Sequence, residues 1–179
     1  EMGCGKGGDL WKYSKCGISM LVGVDNESNL LYEAKDSAIK RFRQIKNSLS
    51  NNSLSNNSLS NNSLSDNKMS GFFIHADARS DMYSILKSKG LEMDFDVVST
   101  FFALHYFFQS EETLTAFMNN VSNMLAFGGY FIGTVIDGSA LYDKIQNSKG
   151  CFSDLLQGQN QEHGLYCLKP TKPFNASFK

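Results

Sequence analysis

The 179-residue sequence predicts an α/β fold with a doubly wound, mostly parallel sheet. Two observations predict it: short apolar runs typical of strands alternate with segments of helical periodicity, and a glycine-rich turn precedes the first helix. Parallel neighbouring strands need a crossover connection, which is usually a helix, so the alternation indicates a parallel sheet. We interpret residues 1–179 as one domain that carries an insertion.

The first part of the chain predicts a helix, a strand and a second helix. Residues 9–16 carry apolar side chains among polar ones and end before Gly17, which suits a short helix. The apolar run at residues 20–24 predicts a buried strand. Across residues 28–46, apolar side chains recur near helical spacing with lysines and arginines between them, which predicts a helix packed on the sheet.

Residues 47–68 form a low-complexity segment in which the motif Asn-Ser-Leu-Ser-Asn recurs. The five-residue period matches neither a helix nor a strand. One apolar residue in five buries too little surface to offset the loss of chain entropy. We therefore expect a disordered insertion, with a leucine-lined repeat or a recognition segment as alternatives.

The rest of the chain continues the alternation. Residues 72–76 predict a strand, residues 82–87 a short helix, and residues 94–99 another strand. Residues 111–125 have the apolar spacing of an amphipathic helix, which two glycines end before a strand at residues 130–135. The order of elements therefore fits a sheet with helices on both faces.

Both ends of the sequence are expected to be truncated. A glycine loop of this kind normally follows a buried strand, but only Glu1 and Met2 precede Gly3. The chain ends at Lys179 without a closing element. We therefore expect a fragment of a larger domain.

Composition excludes several classes of protein. The net charge of −1 argues against a broad basic face for long nucleic acids. Cys4, Cys16, Cys151 and Cys167 have no zinc-ligand spacing, so free thiols and no metal site are expected. No apolar run is long enough for a membrane span, and no signal peptide opens the chain. These features predict a cytosolic or nuclear protein without a membrane partner.

Gly3, Gly5 and Gly8 have the spacing G-x-G-x-x-G at the predicted turn into the first helix. This pattern alone fits a dinucleotide site as well as a nucleoside site. Glu1 distinguishes them, because a carboxylate at that position would repel a pyrophosphate and would suit the amino group and sulfonium of S-adenosylmethionine. A solvated acid at a strand end is the alternative.

Two aspartates follow successive predicted strands. Asp25 could accept hydrogen bonds from the ribose hydroxyls of a nucleoside, and Asp77 from the adenine amine. Either residue alone could equally be a helix cap. Together, after a glycine loop and at the carboxyl edge of a parallel sheet, they favour an adenosine site.

Three segments carry a family resemblance. Residues 3–13 read GCGKGGDLWKY, residues 99–108 read STFFALHYFF, and residues 128–134 read GGYFIGT. In this order they resemble the motifs of the eukaryotic mRNA cap guanine-N(7) methyltransferases, and residues 164–168 are more weakly similar to the family's next strand. The resemblance implies a Rossmann-like class I methyltransferase that moves a methyl group from S-adenosylmethionine to the cap guanine.

The resemblance also implies roles for individual residues. The resemblance implies that Gly3, Asp25, Asp77 and Phe101 border the methyl donor, with Tyr106 near the reacting groups. The argument from the glycine loop adds Glu1 and Gly5 to the donor site. The residues implied or expected to contact the cap are Lys6, Lys12, Phe102, His105 and Tyr106. Lysines can neutralise the cap triphosphate, while aromatic rings can stack on guanine. For His105 alone a structural role would be the simpler interpretation, and Phe107 and Phe108 fit a core.

No general base is expected. Nitrogen-7 of guanine carries a lone pair and no proton, so in-line attack on the methyl group needs alignment rather than proton transfer. Catalysis would come from holding the nucleophile, methyl carbon and sulfur collinear, with aromatic faces and carboxylates tolerating the charge that moves onto guanine.

The sequence departs from the family pattern at several positions. Phe101 stands where the family usually has Gln, which removes a side-chain hydrogen bond near the adenine. The family's helical arginine aligns with Ser37, and Arg41, one turn further, is the candidate substitute. Residues 136–138 replace the family's P-N-S, and the family's guanine-gripping glutamate and tyrosine would fall beyond Lys179.

The expected partners are the capped 5′ end of mRNA and other capping enzymes or the transcription machinery, in the nucleus. One alternative is another S-adenosylmethionine-dependent methyltransferase, which would have no need for the lysines and the His105-Tyr106 pair. A second is an inactive, truncated methyltransferase-like binding module. A dinucleotide oxidoreductase ranks third because of Glu1.

Overall fold

The computed structural model describes residues 1–55, 69–92, 94–147, 152–155 and 164–168. Two compact units are present, Glu1–Val135 and Ile136–Lys179. The helices are α1 (Leu10–Lys15), α2 (Ala38–Ser55), α3 (Met82–Ser88), α4 (Glu111–Met124) and α5 (Gly138–Asn147). The strands are β1 (Met20–Asp25), β2 (Ser70–His75), β3 (Phe95–Phe101), β4 (Leu125–Thr134), β5 (Phe152–Leu155) and β6 (Gly164–Leu168).

The first unit contains two parallel strand pairs that residues 1–3 connect. Strand β1 pairs in parallel with β2, and β3 pairs in parallel with β4. Met2 forms a parallel bridge with Val24 of β1, and its N–H donates to the carbonyl of Ser99 in β3 at 2.8 Å. The order is therefore β2, β1, residues 1–3, β3, β4, which confirms the predicted parallel α/β fold.

Helices cover both faces of this sheet, as the alternation of elements predicted. On one face, α3 and α4 pack against the sheet through the buried residues Val22, Val24, Met82, Leu86, Phe117 and Val121. On the other face, α1 and α2 form a second cluster with Leu10, Leu21, Phe42, Ile45 and Met69. Successive residues of β1 point to opposite faces, so one strand contributes to both clusters.

Helix α4 begins with a capping box and buries an aromatic residue at its centre. The Ser110 side chain accepts from the N–H of Thr113, and the Thr113 side chain accepts from the N–H of Ser110. Phe117 of α4 is fully buried and stacks on Phe107, with ring centroids 4.1 Å apart. The core prediction is confirmed for Phe107 and wrong for Phe108, which is 61% exposed.

The helix predicted over residues 28–46 is divided in the structure. A π-helical turn, Asn29–Glu33, comes first, and α2 begins only at Ala38. The Lys40 ammonium donates to the carbonyls of Glu33 and Ala34, both at 2.9 Å. This side chain satisfies carbonyls that a continuous helix would have bonded internally, which stabilises the break.

Helix α2 extends further than predicted, into the repeat segment. It ends at Ser55, so the first residues of the segment 47–68 are helical rather than disordered. Leu49 packs against the second cluster, and extending a formed helix costs less than nucleating one. Residues 56–68 lie outside the described residues, so their predicted disorder stays a prediction.

Strand β4 begins at Leu125, earlier than the predicted residue 130. The pairing with β3 shifts register between Phe95 and Val97, and Gly128 adopts a φ of 81°. The two glycines therefore lie at an irregularity within the strand instead of separating it from α4.

The second unit contains α5 and the antiparallel pair β5 and β6. The weakly predicted strand at residues 164–168 is confirmed as β6, whereas α5 and β5 were not predicted. That residues 1–179 form one domain stays a prediction. Among the described residues, no helix has the length and apolar character needed to cross a membrane.

Candidate active site

The glycine loop connects the central segment, residues 1–3, to α1. Gly3, Gly5 and Gly7 have φ values of 77°, 51° and 71°, a region that side-chain-bearing residues rarely adopt. A Cβ atom on Gly3 would lie 2.5 Å from the Cβ of Ala103, so the loop has no room for a side chain there. Gly8, the third glycine of the predicted motif, has neither a positive φ nor a close neighbour at its Cβ position. Gly7, not Gly8, is therefore the position at which this backbone requires glycine.

Asp25 ties the glycine loop to the end of β1. Its side chain is buried, and Oδ2 accepts from the N–H of Gly5 at 2.7 Å while Oδ1 accepts from the N–H of Glu27 at 3.0 Å. An ionised carboxylate has about four acceptor positions, so capacity remains for hydroxyl groups of a ligand. Asp25 is thus fixed in orientation while retaining acceptor sites.

Asp77, after the end of β2, is held by an arginine that the sequence analysis missed. The Arg79 Nε donates to Asp77 Oδ1 at 2.9 Å, and its Nη2 donates to Oδ2 at 2.5 Å. This hydrogen bonding lowers the pKa of Asp77. The pair Asp-x-Arg at a strand end was the available signal in the sequence, and the arginine orients the carboxylate at the site.

The segment after β3 displays aromatic rings. Phe102 has a φ of 55° and is 65% exposed, an unusual backbone conformation for a bulky residue that costs roughly 1–3 kcal/mol. It is followed by a 3₁₀ turn, Leu104–Gln109, on which the rings of His105 and Tyr106 lie 4.2 Å apart at 41°. Tyr106 is 69% exposed, so its ring is available to a ligand.

These segments enclose a cleft of about 560 Å³ at the carboxyl ends of β1, β2 and β3. Of the predicted donor-site residues, the cleft is lined by Gly3, Gly5, Asp25, Asp77, Phe101 and Tyr106, and of the predicted cap residues by Phe102 and Tyr106. Ligand pockets in proteins commonly measure about 300–1,000 Å³. The cleft is therefore large enough for a nucleoside-sized ligand, and the glycines of the loop let the backbone approach such a ligand closely.

Some predicted residues do not line this cleft, namely Glu1, Lys6, Lys12, Arg41 and His105. His105 contacts the cleft residue Tyr106. The described residues contain no cluster of three His, Cys, Asp or Glu side chains that could hold a metal ion. The ligand-binding roles of Glu1, Lys6, Lys12, Arg41 and His105 stay predictions.

The Glu1 carboxyl group lies beside Tyr13, whose hydroxyl is 2.8 Å from that of Ser99. Burial raises the pKa of Glu1 to about 7. Its buried Oε2 finds no hydrogen-bond partner among the described residues. An unpaired buried carboxylate oxygen is costly, and protonation relieves that cost, which is why burial raises the pKa.

Two of the predicted cap-binding cations share one carboxylate. Lys6 Nζ lies 2.8 Å from Asp36 Oδ1, and Arg41 Nη2 lies 2.8 Å from Asp36 Oδ2. These hydrogen bonds, Lys6 first, lower the pKa of Asp36 to about 2. Ser37 is fully buried, whereas Arg41 is partly exposed. Arg41 is therefore the cation that this stretch of the chain presents beside Lys6.

Lys12 is paired differently from the other two cations. It bonds to Asp9, the residue that precedes α1, and its side chain is 77% exposed. Such an exposed pair contributes little to stability, so Lys12 can exchange partners at small cost.

Comparison with known proteins is consistent with this site. The sequence pattern of the mRNA (guanine-N(7))-methyltransferase domain matches residues 1–154. The mRNA cap guanine-N(7) methyltransferase of Candida glabrata is 34% identical over 147 residues, which cover 81% of this chain and 30% of that protein. The enzyme of the same name from Schizosaccharomyces pombe is 33% identical, covering 83% of this chain and 34% of that protein.

A viral protein is also similar. The probable mRNA-capping enzyme of Acanthamoeba polyphaga mimivirus is 28% identical over 165 residues, which cover 83% of this chain and 13% of that protein. This chain thus spans about a third or less of the length of these relatives. On the extent of these matches, the chain belongs to the mRNA (guanine-N(7))-methyltransferase domain family.

Proposed function

We propose that this protein transfers a methyl group from S-adenosylmethionine to nitrogen-7 of the guanine in an mRNA cap. The observation that carries the proposal is the convergence of Gly3, Gly5, Asp25 and Asp77 with the aromatic residue Tyr106 on one cleft. The family supports a methyl donor in this cleft, and the names of the relatives support the cap as substrate.

The donor half of the cleft is built from backbone and two carboxylates. Asp25, fixed by the N–H groups of Gly5 and Glu27, is suited to accept from the ribose hydroxyls. Asp77, oriented by Arg79, is suited to accept from the adenine amine. S-adenosylmethionine bound here supplies an electrophilic methyl group on a sulfonium.

The acceptor half needs alignment and no proton transfer. Guanine nitrogen-7 attacks with a lone pair, so His105 and Tyr106 serve to hold the base rather than to remove a proton. Phe102 and Tyr106 are exposed at the cleft, where their faces can contact the guanine as it gains positive charge. Alignment of this kind can account for a large part of a rate enhancement.

The cap triphosphate requires cations near the guanine. Lys6 follows Gly5 of the cleft and is held with Arg41 by Asp36. Since two cations share one anion, the group retains a net positive charge for a phosphate. Lys12, one turn into α1, is the third cation in this proposal.

The substrate assignment is tested with His105→Ala and a control, Phe108→Ala, which removes an exposed ring from the same 3₁₀ turn outside the cleft. We expect His105→Ala to reduce methylation of capped RNA by about a hundredfold, with donor affinity nearly unchanged, because it disturbs alignment only. Phe108→Ala should leave both nearly intact. Equal rates for wild type and His105→Ala would reject the cap assignment.

The donor assignment is tested by calorimetry with S-adenosylmethionine. Asp25→Ala should weaken binding by roughly 1–3 kcal/mol, because ribose hydroxyls lose an acceptor. Asp25→Asn retains one acceptor oxygen and should lose less. Unchanged affinity in Asp25→Ala would remove this residue from the donor site.

We also propose that the protein acts in the nucleus, beside other capping enzymes or the transcription machinery, because the substrate assignment requires newly capped transcripts. Nuclear fractionation and crosslinking to transcription complexes test this. An exclusively cytosolic protein would contradict it.

A further inference from the structure

We propose that a groove between α1 and α2 binds the first transcript nucleotides that follow the cap triphosphate, an inference that rests on the proposed function. This groove, here called the Trp11 groove, has a volume of about 450 Å³, and its lining includes Gly7, Trp11, Asp36, Arg41, Gln44 and Ile45. It is separate from the cleft proposed above to hold both the methyl donor and the guanine, here called the donor cleft, with which it shares no lining residue.

The glycine loop contributes residues to both the donor cleft and the Trp11 groove. Gly5 lines the donor cleft, Gly7 lines the Trp11 groove, and Lys6 lies between them in the chain. The Lys6 ammonium contacts Asp36 of the groove at 2.8 Å. A ligand with guanine in the donor cleft and its triphosphate at Lys6 would therefore continue into the Trp11 groove.

The chemistry of the groove suits a short RNA. Trp11 is 48% exposed, and an exposed indole can stack on any base. Lys15 Nζ lies 5.9 Å from the centroid of the same ring, which adds a cation beside the stacking surface. Arg41 can bond to a phosphate, and Gln44 offers both a donor and an acceptor.

The charge balance favours a phosphate over a cationic ligand. Asp36, the acid in the groove, is paired with both Lys6 and Arg41, so these three side chains carry a net positive charge. Asp9, the acid at the start of α1, is paired with Lys12.

Fluorescence provides a direct test, because Trp11 is the chain's one tryptophan. The probes are guanosine triphosphate, a capped RNA of about five nucleotides, and the same RNA without a cap. We expect the capped RNA, and not guanosine triphosphate, to quench the emission of Trp11. Trp11→Ala should lose about tenfold in affinity for the capped RNA and keep its affinity for guanosine triphosphate.

Two further variants control for folding and for exposure. Trp11→Phe retains an aromatic face and should recover most of the affinity for capped RNA. Tyr83→Ala removes a ring of similar exposure, 49%, from α3 on the opposite face of the sheet and should change nothing.

The possible results separate this proposal from the proposed function. If guanosine triphosphate binds but lengthening the RNA neither strengthens binding nor quenches Trp11, the groove proposal alone is overturned. If uncapped RNA quenches Trp11 with equal affinity, the placement next to the cap is overturned. If neither capped RNA nor guanosine triphosphate binds, both proposals fail.

Discussion

At the residue scale, the site depends on close backbone packing that only glycine allows. Gly3→Ala would place a Cβ atom 2.5 Å from that of Ala103, in a backbone conformation with positive φ. We expect it to lower the free energy of unfolding by about 1–3 kcal/mol and to weaken donor binding. Gly8→Ala, with open space around its Cβ position, is the matched control and should change little. Urea unfolding and calorimetry measure both effects, and equal stability of the two variants would contradict this account.

Glu1 makes stability depend on pH. Burial raises its pKa from 4.5 to about 7, so its contribution to stability is complete below about pH 4.5 and is lost as the pH rises through about 7. Glu1→Gln should match the wild type near pH 4 and be more stable by about 2 kcal/mol near pH 8.5, because the amide avoids burying a charge. Urea unfolding across this range tests it. A stability difference that does not vary with pH would show that Glu1 does not titrate in the folded state as stated.

Individual residues also show where sequence reasoning ends. Asp25 and Asp77 were predicted at the site because each follows a strand, and strand ends in a parallel sheet share one edge. The bonds that hold them were not predicted, because Gly5 reaches Asp25 across 20 positions of sequence. The contact of Lys6 with Asp36 was hidden for the same reason, because 30 positions of sequence separate the two residues.

At the element scale, strands and helices were predicted well in type and less well at their ends. Hydrophobic periodicity identified β1, β3, α3 and α4. It did not detect the break before α2, because the lysine side chain that stabilises it bonds to carbonyls outside the helix. Nor did it predict the extension of α2, which depends on tertiary packing of Leu49.

Phe42 of helix α2 packs closely against the sheet. Phe42 is 7% exposed, meets Phe73 edge to face at 5.8 Å, and lies so close to Gly71 that a Cβ atom there would be 2.5 Å from its ring. Phe42→Ala should cost about 3–5 kcal/mol of unfolding free energy, because a cavity remains. Arg43→Ala, an exposed neighbour, should cost less than about 0.5 kcal/mol. Chemical denaturation compares them, and similar costs would contradict the role given to Phe42.

At the scale of the whole molecule, the parallel α/β architecture followed from the alternation of elements, and the active-site edge followed from the glycine loop. The sequence predicted a strand before the glycine loop. In the structure, residues 1–3 lie between β1 and β3, at the place in the sheet where that strand was expected. The Trp11 groove could not be predicted, because it arises where α1 and α2 pack together.

The central claim is that the cleft methylates the cap guanine at nitrogen-7. The most direct measurement supplies the protein with S-adenosylmethionine labelled in the methyl group and with RNA that is either capped by unmethylated guanosine or uncapped. The labelled RNA is then digested and its nucleosides are separated. We expect the label in 7-methylguanosine, from capped RNA alone. Label in any other nucleoside, or equal labelling of uncapped RNA, would contradict the claim and favour a different methyltransferase activity.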